Sequence, residues 1–174
     1  MPVLITYATS RGSTREVAER IASRLHNDGF AVDCRPVDRV YSVANYKAVI
    51  IGSAVHNARW LLDAERFLDV EATGLRTKPL WSFSMGSASA STPGWRREKV
   101  AKREQRKIER MIISKVPTVR EHRFFAGKND GQSWSGLARS MYRCIGGRFG
   151  DFREWDEIDM WTDAIAKEMK AEGI

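Results

Sequence analysis

The first 25 residues constrain the fold more than any other part of this chain. Residues 3–7 form a short apolar, β-favouring run that predicts a buried strand. A loop of small and hydroxyl-bearing residues follows, and apolar residues then recur at helical spacing: Val17, Ala18, Ile21, Ala22 and Leu25. Ser13 precedes Glu16 by three residues, the spacing of a capping box, so we expect a helix to begin there.

A strand, a short polar loop and a helix start together form an anion-binding arrangement. The first N–H groups of a helix lack intrahelical partners, and the helix dipole places partial positive charge at that end. Gly12 allows the backbone to approach a ligand closely, and hydroxyl donors surround it at Thr9, Ser10, Ser13 and Thr14. The alternative is an ordinary turn with a good helix cap, because hydroxyl residues are common in turns.

The order of residues in this loop resembles the FMN-phosphate signature of flavodoxins. Residues 5–14, followed by Ala18 and Ile21, match that signature except at Thr6, where a large apolar residue is usual. No Gly-x-x-x-x-Gly-Lys pattern is present, which argues against a nucleoside triphosphatase. The resemblance implies that FMN is the cofactor and that its phosphate is held by Thr9, Ser10, Arg11, Gly12, Ser13 and Thr14.

Strand-like and helical segments alternate along the rest of the chain. Strands are predicted at residues 3–7, 30–35, 48–52, 79–84 and 121–126. Between them we expect helices that end near Gly29 and Gly74, a short turn or helix over 40–46, and a closing helix over 155–170. This alternation predicts one α/β domain over residues 1–174 with a five-stranded parallel sheet. The resemblance implies a flavodoxin-like three-layer sandwich with strand order 2-1-3-4-5.

Ligands of such sheets bind outside the carboxyl ends of the strands, where the strand order reverses. The resemblance therefore implies that the flavin ring lies against the loops after strands three and four, held largely by backbone groups. The residues of these two loops are Ser53, Ala54, Val55, His56, Asn57, Arg59, Trp60, Ser84, Met85, Gly86 and Ser87.

Three side chains in these loops each have two interpretations. Trp60 either stacks on the flavin ring or is the first packed residue of the next helix. His56 either hydrogen-bonds to the ring or to a substrate, or it is a surface histidine. Arg59 either offsets the negative charge of a reduced flavin or faces water.

The net charge of +7 is unevenly distributed along the chain. Residues 95–110 hold eight Lys or Arg residues against three Glu residues, a local charge of +5. This pattern is typical of a solvated helix face, or it attracts an anionic partner such as a membrane surface, a carboxylate-bearing substrate or an acidic protein. Nucleic acid is not expected as a partner, because no aromatic platform, helix-turn-helix pattern or zinc spacing accompanies the charge.

Residues 127–153 form an insertion that is too long for a plain connection between the last strand and the last helix. Helical spacing over 137–145 predicts a short amphipathic helix that ends at Gly146 and Gly147. Arginines beside apolar residues favour contact with a membrane surface or a cover over the flavin site. The alternative is an insertion packed on its own domain.

Several segments resemble those of the flavodoxin-type, menaquinone-dependent protoporphyrinogen IX dehydrogenases. They are residues 9–14, 45–53, 125–127, 146–147 and 155–156. The resemblance implies an FMN-dependent oxidoreductase that moves electrons from a reduced organic substrate to a quinone or another acceptor. The cofactor carries the chemistry, so no catalytic side chain and no metal are expected. The alternatives are an electron-transfer protein that docks on a redox partner, and a non-catalytic module with a vestigial flavin site.

The chain has no apolar run of the ~20 residues that a membrane span requires, and its amino terminus lacks a charged stretch leading into an apolar one. Its two cysteines, Cys34 and Cys144, form no metal-binding pattern. We therefore expect a cytoplasmic protein, with peripheral contact at the inner face of the membrane through residues 96–110 and 127–153.

Overall fold

The apolar segments assemble into a sheet in the computed structural model, which describes residues 1–86, 94–129 and 150–174. The strands are β1 (Val3–Ala8), β2 (Val32–Pro36), β3 (Ala48–His56), the short β4 (Arg59–Trp60), β5 (Leu80–Gly86) and β6 (Val119–Ala126). Five of them are parallel in the order β2-β1-β3-β5-β6, and β4 pairs antiparallel with the end of β3. The predicted order of the five long strands is confirmed.

Helices cover both faces of this sheet. They are α1 (Ser13–Asn27), α2 (Leu62–Val70), α3 (Ala72–Leu75), α4 (Gly94–Lys115) and α5 (Trp155–Ala171), with a 3-10 turn at Val37–Arg39. Side chains alternate along a strand, so Ile5 packs with α1 and α5, whereas Leu4 packs on the opposite face with α2, α3 and α4. Two apolar cores separated by the sheet confirm the predicted three-layer sandwich.

The ends of several elements differ from the sequence prediction. β3 continues to His56 and β5 to Gly86, because their last residues find partners across the sheet that no local pattern reveals. The predicted helix closed by Gly74 is in fact two helices, and Gly74 lies inside α3. A Cβ at Gly74 would lie 2.6 Å from Val43, so this glycine serves close packing and does not end the helix. Gly29, in contrast, follows α1 with the expected left-handed φ of +93°.

The insertion begins as a small antiparallel ribbon at the carboxyl edge of the sheet. Its strands are β7 (Lys128–Asn129) and β8 (Gly150–Asp151). Gly127 donates its N–H to the carbonyl of Gly86 at 2.9 Å, and this bond fixes the base of the ribbon to the end of β5. The predicted short helix over 137–145 lies outside the described residues. Within the described ranges, no helix is both long and apolar enough to cross a membrane.

Candidate functional site

The loop between β1 and α1 is organised by Gly12. This residue has a left-handed φ of +87° and directly precedes the helix. Its N–H donates to Thr9 Oγ1 at 2.9 Å, and its carbonyl accepts the N–H of Glu16 at 3.0 Å. The predicted capping box is wrong, because the helix has no side-chain cap at Ser13 and the Glu16 carboxylate binds Arg153 instead.

Thr14 carries a buried hydroxyl in the first turn of α1. Its side chain is 0% exposed, and its Oγ1 has no hydrogen-bond partner within the part of the chain that the structure describes. Leaving a buried hydroxyl unpaired costs about 1 to 3 kcal/mol. Thr14 lies in the first turn of α1, where backbone N–H groups are also free to donate. N–H groups and hydroxyls at a helix start are the donors that bind a phosphate, so the residues fit the phosphate of FMN.

The turn after β3 reaches the phosphate loop. His56 Nε2 and Ser10 Oγ are 3.0 Å apart, a hydrogen bond that joins the two loops. His56 pairs with Arg59 across a β3–β4 hairpin whose central residues, Asn57 and Ala58, have left-handed φ angles of 50° and 58°. Two consecutive left-handed residues characterise a type I′ turn, for which Asn-Gly is the usual sequence. This hairpin is not apparent from the sequence, because only Asn57 is a residue typical of such a turn.

The predicted ring-binding residues that precede this turn have structural roles as well. Ser53 is buried, donates from Oγ to the carbonyl of Ala54, and accepts the N–H of Leu61 at 3.1 Å. Ala54 is also buried, and Val55 pairs with Trp60 in the hairpin. The side chains of these residues therefore stabilise the end of β3, which leaves backbone groups and the hairpin turn as the parts available to a ligand.

Trp60 lies in the protein interior. It is 3% exposed, and its Nε1 donates to Ser84 Oγ at 2.7 Å. A ring buried to this extent offers no face to a flavin unless the hairpin moves. Of its two interpretations, packing agrees with the structure, although Trp60 belongs to β4 and precedes the helix.

A half-buried histidine completes this polar network, and no local sequence pattern points to it. His122 on β6 hydrogen-bonds through Nδ1 to Ser82 Oγ at 2.8 Å and through Nε2 to Ser84 Oγ at 3.1 Å. The centroids of the Trp60 and His122 rings are 6.0 Å apart. Burial lowers the pKa of His122 to about 4, so the imidazole is neutral at neutral pH. The network links β4, β5 and β6 beneath the hairpin.

The remaining predicted residues lie around the ends of β3 and β5. Arg59 is largely exposed and forms an ion pair with Glu65 at 3.2 Å. Its side chain therefore contacts a carboxylate as well as water. Met85 is buried in the core, and a Cβ at Gly86 would lie 2.4 Å from the ring of Phe124. Arg11 is exposed, and Ser87 lies outside the described residues.

No grouping of three or more metal-ligating side chains occurs in residues 1–86, 94–129 and 150–174. Cys34 is a free, half-buried thiol, and burial raises its pKa to about 11, which keeps it protonated. Cys144 lies outside these ranges. Nothing in this part of the chain therefore supplies an activated thiolate beside the loops.

Comparison with known proteins identifies the family. A model of the flavodoxin domain matches residues 4–148 of the chain. The chain belongs to the flavodoxin domain family. FMN is the cofactor of this family, as the phosphate-loop sequence predicts.

Individual flavodoxin relatives are distant. Protoporphyrinogen IX dehydrogenase [quinone] of Escherichia coli strain K12 is 31% identical over 87 residues, which cover 49% of this chain and 48% of that protein. The chain thus matches about half the length of this curated relative. A flavodoxin from Streptococcus pneumoniae superposes with a TM-score of 0.57 at 14% identity, over 99% of each chain. Two-electron reduced Megasphaera elsdenii flavodoxin superposes with a TM-score of 0.54 at 15% identity, over 82% of this chain and 97% of that one. At these identities the two structures support the fold alone.

Proposed function

We propose that this chain is a single flavodoxin-like domain that acts as an FMN-dependent oxidoreductase. It would move electrons from a reduced organic substrate to a quinone or another acceptor. The observation that carries the proposal is the unpaired, fully buried Thr14 hydroxyl at the start of α1, beside the left-handed Gly12. The Thr14 hydroxyl and the unpaired N–H groups of the first helical turn are donors that suit a phosphate, and the left-handed Gly12 leaves open space beside them.

In this proposal, the chain binds and orients the cofactor, whereas bound FMN supplies the capacity to accept and release electrons. Residues 9–14 would hold the phosphate through hydroxyl and backbone donors. The β3–β4 hairpin and the end of β5 would hold the ring, mostly through backbone groups. His56 and Arg59 would face the ring side, whereas Trp60 would support the hairpin from below. No described side chain is needed as a nucleophile.

The nature of the substrate and the acceptor rests on one relative. The E. coli protein that shares half its length with this chain is named for protoporphyrinogen IX and a quinone. A reduced tetrapyrrole-like donor and a quinone acceptor are therefore the first compounds to test. Such a role would place the protein in the cytoplasm, at or near the membrane that holds the quinone.

The surface of α4 favours an electron-transfer protein as the second candidate. Six exposed cations lie on the part of this helix whose side chains the structure describes: Lys99, Lys102, Arg103, Arg106, Lys107 and Arg110. Ile113 is also exposed near its carboxyl end. Cations beside an exposed aliphatic residue suit peripheral contact with an anionic membrane or an acidic redox protein. Either contact would bring the chain to an electron acceptor.

The phosphate site is tested by Gly12→Asp, which places a carboxylate where the phosphate would bind. Gly29→Asp is a matched control, since Gly29 lies at the other end of α1 with a similar left-handed φ and similarly open space around it. We expect Gly12→Asp to lose FMN and Gly29→Asp to keep it, as measured by the visible spectrum of apoprotein after FMN addition and gel filtration.

Retention of FMN by Gly12→Asp would refute the site, and a wild-type protein that stays colourless would favour a vestigial module. For the holoprotein, substrate-dependent quinone reduction distinguishes the oxidoreductase from the electron-transfer protein. A carrier would exchange electrons with a protein partner and show no turnover with small donors.

A further inference from the structure

Arg153 joins three elements beside the start of α1. Its side chain is 4% exposed, which is unusual for an arginine outside a binding site. It donates to Asp151 on β8 at 2.8 and 2.5 Å, and to Glu16 on α1 at 2.6 Å. Its guanidinium carbon lies 4.6 Å from the ring centroid of Trp155, the first residue of α5. Two carboxylates and an aromatic ring thus contact one guanidinium, which is more than a typical surface ion pair provides.

The position of Glu16 gives this cluster a bearing on anion binding. The N–H of Glu16 bonds to the carbonyl of Gly12, so Glu16 belongs to the first turn of α1. Helical side chains tilt toward the amino terminus, which brings the Glu16 carboxylate to the end where a phosphate would bind. A carboxylate there stabilises the helix dipole in the free protein but repels an incoming dianion. Arg153 is the cation that pairs with this carboxylate.

We propose that Arg153 is a positioning residue of the phosphate site, which holds the Glu16 carboxylate aside and offsets its charge. This inference rests on the proposed function, because it takes the phosphate of FMN as the anion. Arg153 shares its single positive charge between two carboxylates, so the cluster of Glu16, Asp151 and Arg153 has a net charge of −1. Hydrogen bonds from Arg153 lower the pKa of Asp151, which keeps that carboxylate ionised.

The charge of the cluster predicts an order of FMN affinities. Glu16→Gln brings the net charge to 0, Arg153→Gln brings it to −2, and the double variant returns it to −1. FMN should therefore bind most tightly to Glu16→Gln, equally to the wild type and the double variant, and most weakly to Arg153→Gln. Each step should change the dissociation constant about two- to fivefold, the effect of one partly exposed charge at a helix end.

The experiment titrates the apoproteins of the wild type, the two single variants and the double variant with FMN and with riboflavin, which lacks the phosphate. Quenching of flavin fluorescence measures the binding. Riboflavin affinity should be the same for all four proteins, because the charge acts on the phosphate. Glu19→Gln is a matched control on the next turn of the same helix, where the carboxylate forms an ion pair with Arg15 at 3.7 Å. It should change FMN affinity less than Glu16→Gln does. In ~1 M salt the FMN differences should shrink, because the screening length falls to ~3 Å.

Two outcomes would overturn the role of Arg153 while FMN binding stands. One is a parallel change in riboflavin affinity, which would indicate a general structural effect. The other is a double variant that binds FMN no better than Arg153→Gln. If Arg153→Gln does not fold, Glu16→Gln decides the question, since it must tighten FMN binding and leave riboflavin unchanged. A wild-type apoprotein that binds neither flavin would overturn the proposed function itself.

Discussion

His122 should make the folded protein sensitive to mild acid. An unfolded histidine binds a proton near pH 6.5, whereas the folded protein resists protonation of His122 until about pH 4. Between these values the unfolded state binds more protons, so the free energy of unfolding falls as the pH falls. The difference between 6.5 and about 4 corresponds to about 3 kcal/mol, since one pKa unit is worth about 1.4 kcal/mol. This stability is fully present above pH 6.5 and is lost by pH 4.

Urea unfolding of the apoprotein at several pH values from 7 to 4 measures this effect. His122→Gln should be less stable than the wild type at pH 7, because Ser82 and Ser84 lose their ring partner. Its stability should then fall about 3 kcal/mol less between pH 7 and pH 4 than that of the wild type. His26→Gln, an exposed substitution on α1, is the matched control for the loss of one histidine.

Other titrating groups are common to all three proteins. Hydrogen bonds from arginines lower the pKa values of Asp151, Asp159, Asp163 and Glu172, so the stability that these carboxylates contribute is lost in more strongly acidic solution. Their contribution cancels in the difference between variant and wild type. Equal slopes for the wild type and His122→Gln would refute the assignment. So would a nuclear magnetic resonance titration in which the His122 ring of the folded protein protonates near pH 6.5.

Three substitutions test smaller parts of the same reasoning. Thr14→Val should stabilise the apoprotein against urea by about 1 kcal/mol and weaken FMN binding, because it removes a buried, unpaired hydroxyl that the phosphate would use. Thr6→Val removes a second such hydroxyl from β1 and should give the same gain in stability with FMN affinity unchanged. If Thr6→Val and Thr14→Val lost FMN affinity equally, a phosphate role for Thr14 would be refuted. Ala58→Gly should add about 1 kcal/mol to the free energy of unfolding, since it relieves a left-handed alanine, and an unchanged urea midpoint would show that the turn is unstrained.

The fold was predictable from local pattern because its units are local. An apolar run followed by helical spacing describes each strand–helix pair, and parallel connection rules then limit the order of the strands. The boundaries were less predictable where distant partners decide them. β5 continues through Met85 because Ala54 and Phe125 lie beside it in the sheet, and no residue near Met85 in sequence signals this. Gly74 was misinterpreted for the same reason, since the contact that requires glycine comes from Val43.

The two halves of the candidate site also differ in how far local sequence predicts them. Its proposed phosphate half is one continuous segment, where Thr9 bonds to Gly12 and Thr14 lies in the following turn, so residue order alone predicts it. Its ring half depends on a two-residue strand that is too short to be stable by itself. That strand is held by the bond from Trp60 to Ser84, and Ser84 is held in turn by His122, 38 residues further along the chain. Only the sheet register brings these residues together, so the interior role of Trp60 and the importance of His122 required the structure.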